Sequence, residues 1–99
     1  MKIKEYIHEI LSIVLDINGI EERSVEKTGE KPTVFFDFSG HVGNLYIRIY
    51  KNGWSEYTEP NYSDCIDLCD WNAEEELERT AKYLKSFRDY MLFLDDEHV

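Results

Sequence analysis

The feature that most constrains the fold is a pair of alternating apolar and polar runs separated by a short glycine-containing segment. Strict alternation over this length is typical of half-buried β-strands. A four-residue loop from Gly40 to Gly43 would pair the two runs with all their apolar residues on one face, which fixes the register. The matched apolar residues are Val34, Phe36 and Phe38 in the first run and Leu45, Ile47 and Ile49 in the second.

The residues after the second run predict another hairpin. A two-residue Asn-Gly turn is the simplest choice, but it would point Glu56 into the core. A three-residue bulged loop over residues 51–53 instead pairs Arg48 with Glu56 and Tyr50 with Trp54. This register places a salt bridge and an aromatic pair on the outer face of the sheet. We therefore predict a third strand in the segment that follows this loop, ending at residue 58.

Two amphipathic helices flank the predicted sheet. Apolar residues recur at steps of three and four over residues 2–18, and again from about Ala73 to Leu94. Asn18 and Gly19 supply a helix stop, and Asn72 is a suitable N-cap. The apolar stripes are Ile3, Ile7, Ile10, Val14 and Ile17 in the first helix and Leu77, Ala81, Leu84, Phe87, Met91 and Leu94 in the second. The residues from 59 to 71 are predicted to be a loop or short turn.

These elements predict one α+β domain over residues 1–99: a helix, a three-stranded antiparallel β-meander and a second helix. Because the sheet has only three strands, both helical stripes are expected to cover one face, as in a two-layer sandwich. The other face would then expose Tyr46, Tyr50 and Trp54, with Arg48 among them. A contiguous aromatic patch of this kind is typical of an interaction site.

The net charge of −10 is concentrated in about a quarter of the chain. Residues 52–78 contain nine acidic residues and no Lys or Arg, whereas residues 1–51 hold eight acids and seven bases. The acidic residues of the segment are Glu56, Glu59, Asp64, Asp67, Asp70, Glu74, Glu75, Glu76 and Glu78. The helix dipole accounts for Glu74 to Glu76, but not for the acids before them. Such a segment repels nucleic acid and anionic lipid and attracts a basic partner.

No catalytic or metal-binding motif is found in the sequence. The three histidines are scattered without metal-ligand spacing, and no glycine-rich phosphate loop opens a helix. Cys65 and Cys69 are too few for a disulfide framework, and we interpret them as reduced thiols. No apolar run approaches the ~18–20 residues of a membrane span, and the N-terminus lacks the pattern of a secretory signal. We therefore expect a cytoplasmic, non-enzymatic protein without a cofactor or metal.

The leading functional hypothesis is phosphate mimicry, in which rows of carboxylates compete with nucleic acid for a basic groove. The predicted partner-binding residues are Glu56, Glu59, Asp64, Asp67, Asp70, Glu74 and Glu75, together with Tyr46, Arg48, Tyr50 and Trp54. In size, charge and layout the chain resembles two broad classes of small acidic inhibitor. One comprises the immunity proteins that block bacterial nuclease toxins, and the other comprises phage inhibitors such as anti-CRISPR proteins. The resemblance implies a basic, nucleic-acid-binding protein as partner, and no direct contact with nucleic acid or a membrane.

Two alternatives stay open at this point. In the first, the chain is a homodimer or complex subunit that uses the aromatic outer face, and its acidity serves only solubility. In the second, it is an enzyme acting on a small ligand. Salt separates phosphate mimicry from aromatic docking, because only the former weakens steeply as ionic strength rises.

Overall fold

The computed structural model describes residues 2–97, with side chains up to residue 93. The elements in chain order are α1 (Lys2–Asn18), α2 (Val25–Thr28), β1 (Thr33–Ser39), β2 (Asn44–Tyr50), β3 (Tyr62–Asp67) and α3 (Ala73–Glu97). The strands form one antiparallel sheet in the order β1-β2-β3. The predicted α+β fold, with a helix before and after three antiparallel strands, is therefore confirmed. The structure adds the short helix α2 between α1 and β1.

The first hairpin has the register that alternation predicts. Phe36 lies opposite Ile47, and the flanking apolar pairs follow in step along both strands. The connecting turn closes with a 2.9 Å hydrogen bond from Gly43 N to Ser39 O. Gly43 has a φ of 66°, which L side chains rarely adopt, so glycine suits this position.

The predicted third strand is wrong. Residues 54–58 are not in a strand, and β3 forms from residues that the sequence predicts to be a loop. Arg48 lies opposite Ser63 instead of Glu56, so the predicted bulged hairpin does not form. The observed pairing has a packing reason, because it places Ile66 opposite Leu45 with both side chains fully buried. Burying a large aliphatic side chain contributes more than a cross-strand pair on the outer face does.

The core joins both long helices to the sheet face that carries Ile47, which we call the inner face. Its buried residues are Ile10, Ile13, Val14 and Ile17 of α1, Val34, Leu45, Ile47, Ile49 and Ile66 of the sheet, and Leu77, Ala81 and Leu84 of α3. Ile13 is missing from the predicted stripe, and the Leu94 side chain lies outside the described residues. That both helices cover one face of the sheet stays a prediction, which this shared cluster supports.

The two long helices run parallel to each other. Lys2 Nζ lies 3.9 Å from Glu74 Oε1 near the start of both helices, and Arg88 Nη1 lies 2.8 Å from Asp16 Oδ2 about four turns further on. Asp64 contacts Thr80 and Tyr62 stacks on Tyr83, so α3 runs antiparallel to β3. Because β3 runs parallel to β1, and α1 runs parallel to α3, helix α1 runs antiparallel to β1. This direction decides which α1 side chains lie beside which part of the β1 edge.

The outer face of the sheet is less open than the sequence predicts. Tyr50 is only 4% exposed, and the Phe35 ring lies 5.3 Å from the Tyr50 ring and 6.0 Å from the Trp54 ring. The Arg48 guanidinium lies 4.5 Å from the centre of the Phe35 ring and 3.3 Å from Asp37 Oδ2. These aromatic side chains therefore pack against one another and against Arg48, and they do not form a flat exposed patch.

Residues 51–57 reach this packing by a close backbone contact with the α2 region. Val25 N donates a 2.8 Å hydrogen bond to Trp54 O. A β-carbon at Gly53 would lie 2.8 Å from Gly29 O, and Gly53 has a φ of 96°. Glycine is needed at this position for both reasons. Gly53 of the Asn-Gly pair thus allows residues 51–57 to approach the α2 region closely, and the pair does not form the tight hairpin turn that its sequence suggests.

Candidate interaction surface

Apart from Asp64, which lies within β3, the predicted acidic residues fall into two groups at opposite ends of that strand. Glu56 and Glu59 lie in the connection that precedes the strand, and both are exposed. Asp67 ends the strand, and the remaining exposed acids follow it into α3. A strand of this length spans about 17–20 Å. The nine acids therefore do not form one continuous row.

The second group surrounds the turn between β3 and α3, and we call it the acidic corner. It comprises Asp67, Asp70, Trp71, Glu74 and Glu75. Asp67 is half-buried, whereas the other four side chains are exposed. Carboxylates in the first turn of a helix are stabilised there by the helix dipole. The corner thus combines four carboxylates with one aromatic side chain.

Hydrogen bonds hold the backbone of the corner in place. Cys69 N donates to Asp67 Oδ1 at 2.9 Å, and Leu68 N donates to Gly43 O of the first hairpin turn at 2.9 Å. Asp67 thereby closes an Asx-type turn with its own side chain. The corner is anchored both to itself and to the β1–β2 turn, so its carboxylates are presented from an ordered backbone.

The predicted N-cap of α3 is not formed by the Asn72 oxygen. Its Oδ1 has no hydrogen-bond partner within the described residues, and its Nδ2 donates to Glu76 Oε1 at 3.3 Å. The backbone starts the helix instead, because Ala73 N donates to Asp70 O at 3.2 Å and Glu76 N to Asn72 O at 3.0 Å. The helix begins at the predicted residue by a different set of bonds.

Trp71 is the most notable residue of the corner, and the sequence analysis missed it. Its side chain is 92% exposed, although burial of an indole is strongly favourable. One sequence signal was open to use: Trp71 lies outside both apolar stripes and between two polar residues, Asp70 and Asn72. Exposed tryptophans surrounded by polar groups are typical of the residues that dominate protein interfaces.

Asp64 differs from the other predicted acidic residues because it points toward α3. It lies on the inner face, opposite Ile47. Its Oδ2 accepts long hydrogen bonds from the Thr80 hydroxyl at 3.4 Å and the Tyr62 hydroxyl at 3.5 Å. Thr80 is fully buried. Asp64 therefore takes part in the packing between β3 and α3 and is only half-exposed.

Tyr62 connects this carboxylate to α3. Its ring stacks on the Tyr83 ring with centroids 4.6 Å apart. Burial raises the pKa of the Tyr62 hydroxyl above its ordinary value, and the negative charge of Asp64 raises it further. Both effects disfavour the phenolate, because it would lose water and face a like charge.

The raised pKa predicts a loss of stability at alkaline pH. Above about pH 10, unfolded Tyr62 loses its proton while folded Tyr62 keeps it, so the free energy of unfolding falls as pH rises. We expect Tyr62→Phe to reduce this fall in denaturant unfolding measured between about pH 9 and 11. Tyr57→Phe is the matched control, because Tyr57 is 90% exposed. Identical alkaline losses in wild type and Tyr62→Phe would contradict the prediction.

The predicted aromatic residues divide between surface and interior. Tyr46 and Arg48 lie together on the outer face, with the Arg48 guanidinium 5.3 Å from the Tyr46 ring centre. Tyr50 is buried, and Trp54 is half-buried against Phe35. Of the four, Tyr46 is the most open to a partner. The acidic corner adjoins this face at the last residue of β3, where Asp67 pairs with Asn44 of β2.

Among the side chains that the structure describes, in residues 2–93, no group of three or more His, Cys, Asp or Glu is arranged to hold a metal ion. Cys65 and Cys69 are free thiols with exposed side chains. None of the described helices is long and apolar enough to cross a membrane. No family model matches the sequence, and no curated protein or solved structure matches it significantly.

Proposed function

We propose that this chain is a non-enzymatic binding protein whose acidic corner occupies a basic, nucleic-acid-binding surface on another protein. The observation that carries the proposal is the exposure of Trp71 among four carboxylates, at the end of a segment without Lys or Arg. The action is that of an inhibitor of the anti-CRISPR or nuclease-immunity type, and its place is the cytoplasm. Neither a metal nor a cofactor takes part.

The charge distribution supports a basic partner. Residues 52–78 carry nine of the ten net negative charges. The ion pair described for a carboxylate of the acidic corner is weak. It joins Lys2 Nζ to Glu74 Oε1 at 3.9 Å, and both side chains are largely exposed. Exposed pairs of this kind contribute little to stability and open readily. The carboxylates thus keep their charge available for a cationic groove, where they take the place of phosphates.

The corner gives the charges and the aromatic ring different roles. Distributed carboxylates accelerate the encounter with a basic surface and orient the protein on it, and this effect is screened by salt. A buried indole contributes mainly after contact, by apolar packing that slows dissociation. Trp71 is therefore the anchor, while Asp70, Glu74 and Glu75 steer the approach.

The alternative use of the aromatic outer face has less support. It needs several aromatic side chains free to meet a partner, but Tyr50 is buried and Trp54 packs on Phe35. Arg48 is also engaged, with its guanidinium over the Phe35 ring. Only Tyr46 at 37% exposure approaches the required openness. The acidic corner is the better candidate surface.

The test neutralises the corner without changing its shape, by combining Asp67→Asn, Asp70→Asn, Glu74→Gln and Glu75→Gln. Asparagine at position 67 keeps the oxygen that accepts from Cys69 N. Immobilised wild-type and variant proteins are used to capture partners from nuclease-treated bacterial lysate, and the captured proteins are identified by mass spectrometry. A purified partner is then titrated in the presence of a fluorescent DNA duplex. We expect the wild type to displace the DNA, and the variant to bind about 100-fold more weakly or worse.

Two further variants sharpen the result. Glu56→Gln with Glu59→Gln changes charge at the other end of β3, and we expect a much smaller loss of affinity. Trp71→Ala should weaken binding about tenfold or more while leaving the slope of affinity against salt unchanged. A partner that holds the neutralised corner variant as tightly as wild type, or that DNA does not displace, would refute the proposal.

A further inference from the structure

The edge of β1 is the second surface of interest, and Asn18 defines its geometry. Asn18 Nδ2 donates to Val34 O at 2.7 Å, and Val34 N donates to Asn18 Oδ1 at 2.8 Å. The amide side chain thus bonds Val34 in the way a neighbouring strand residue would. Val34 therefore directs its backbone groups away from β2 and toward the open edge.

The alternating hydrogen-bond pattern of the β1–β2 pair determines where the other backbone groups of the edge point. In an antiparallel ladder, every second residue turns its N–H and C=O away from the neighbouring strand. Phe36 and Phe38 must then point these groups outward, as Val34 does. No hydrogen bond from another described residue reaches the backbone groups of Phe36 or Phe38. The edge is therefore closed at Val34, whose backbone groups bond Asn18, and open at Phe36 and Phe38.

This edge lacks the usual protection against pairing. Exposed edge strands are commonly blunted by Pro, by Lys or by an inward-pointing charge. The sequence of β1 is TVFFDFS, which contains no Pro or Lys and is rich in residues that favour strands. Its one charge, Asp37, lies on the outer face in contact with Arg48.

Apolar side chains border the open edge. Leu11 lies seven residues before Asn18, which places both on the same side of α1. Because α1 runs antiparallel to β1 and Asn18 contacts Val34, the helix rise of about 1.5 Å per residue places Leu11 and Leu15 alongside the strand residues after Val34. Leu11 and Leu15 are exposed, and Phe38 is 57% exposed. The open backbone groups therefore lie next to an apolar strip.

We propose that a second copy of this chain pairs with β1 along this edge, antiparallel and about a two-fold axis. The two three-stranded sheets would then join into one continuous sheet. A two-fold contact uses the same surface patch of both copies, so the strip that contains Phe36, Phe38 and Leu11 in one copy faces the same strip of the other. Asn18 limits the pairing to the part of the strand beyond Val34.

Charge favours a second copy at this edge over other surfaces. Residues 1–51, which contain α1, β1 and β2, carry eight acids and seven bases. Seven of the nine unbalanced acids lie in or after β3, the strand at the opposite edge of the sheet from β1, whereas Glu56 and Glu59 precede it. Pairing through β1 places the acidic corner of each copy at the strand edge remote from the interface. This surface is separate from the acidic corner, so each copy of the dimer keeps its corner available.

Sedimentation velocity tests the proposal over micromolar to millimolar concentrations, at low and high salt. We expect wild type to reach twice the 11.8 kDa mass of one chain. Added salt should leave this dimer unchanged or tighten it, because it screens the repulsion between two chains of charge −10. Binding through the acidic corner responds to salt in the opposite direction, so the two surfaces are distinguishable.

Phe38→Lys places a charge on the open edge, and we expect it to weaken the dimer about tenfold or more. Tyr57→Lys is the matched control, since it makes the same change at an exposed aromatic residue outside the strands, and it should leave the dimer intact. Leu15→Lys serves as a second edge variant, and circular dichroism verifies the fold of each. A wild type that stays monomeric at every concentration, or folded edge variants that dimerise as tightly as wild type, would overturn the proposal.

Discussion

Ile47→Ala should lower the free energy of unfolding by about 2–5 kcal/mol. Ile47 is fully buried in the middle of the central strand, between Phe36 of β1 and Asp64 of β3. Truncation removes three carbons from the core shared by the sheet and both long helices, and the sheet backbone prevents collapse around the cavity. Chemical denaturation with a shared m-value measures the loss directly.

Two neighbouring substitutions calibrate this result. Tyr46→Ala affects the opposite face of the same strand, where the side chain is 37% exposed, and should cost less than about 1 kcal/mol. Phe36→Ala should fall between the two, because its side chain is half-buried at the edge strand. If Ile47→Ala and Tyr46→Ala cost the same, the assignment of the inner face is wrong.

Asp64→Lys should be the most damaging of the acidic reversals, at about 2–4 kcal/mol. It places a cation between β3 and α3, where the Asp64 carboxylate now accepts from Thr80 and Tyr62. The Thr80 hydroxyl would lose its hydrogen-bond acceptor while fully buried. Thermal and chemical unfolding both measure the expected loss.

Its controls separate charge from packing. Glu59→Lys makes the same change of charge at an exposed position and should stay within about 0.5 kcal/mol of wild type. Asp64→Asn keeps an acceptor oxygen and should cost about 1 kcal/mol or less. Equal effects of the reversals at positions 59 and 64 would show that net charge matters and the contact does not. This role of Asp64 is why the corner variant leaves it unchanged.

The sequence predicted the first hairpin and both long helices, and it misplaced the third strand. Alternation determines the β1–β2 register because six apolar residues must share one face. In β3 the inner-face residues are Tyr62, Asp64 and Ile66, so a carboxylate interrupts the apolar pattern. Only the buried Thr80 and Tyr62 make that carboxylate acceptable, and both contacts depend on tertiary structure. The Asn-Gly pair, which is typical of a hairpin turn, therefore led to a predicted strand at residues 54–58 instead of at β3.

The candidate site was predictable in composition but not in shape. The run of acids without bases is visible in the sequence, whereas its division into two groups depends on where β3 lies. The burial of Tyr50 also depends on a long-range contact, since α2 and Gly53 bring Trp54 over Phe35. Trp71 was overlooked because no periodic pattern includes it. The Trp71 side chain is exposed because Trp71 lies in the turn that connects β3 to α3, and the position of this turn depends on where β3 ends.

The parallel packing of α1 against α3 has a consequence for the order of folding. Asp16 and Arg88 are 72 residues apart in sequence, yet their side chains meet in the folded domain. Contacts of such long separation form late, because a long loop must close first. During synthesis the apolar stripe of α1 lacks its α3 partner until Leu77 to Leu84 have been made. The domain therefore completes its core only after α3 has been made, and until then part of the apolar face of α1 stays exposed.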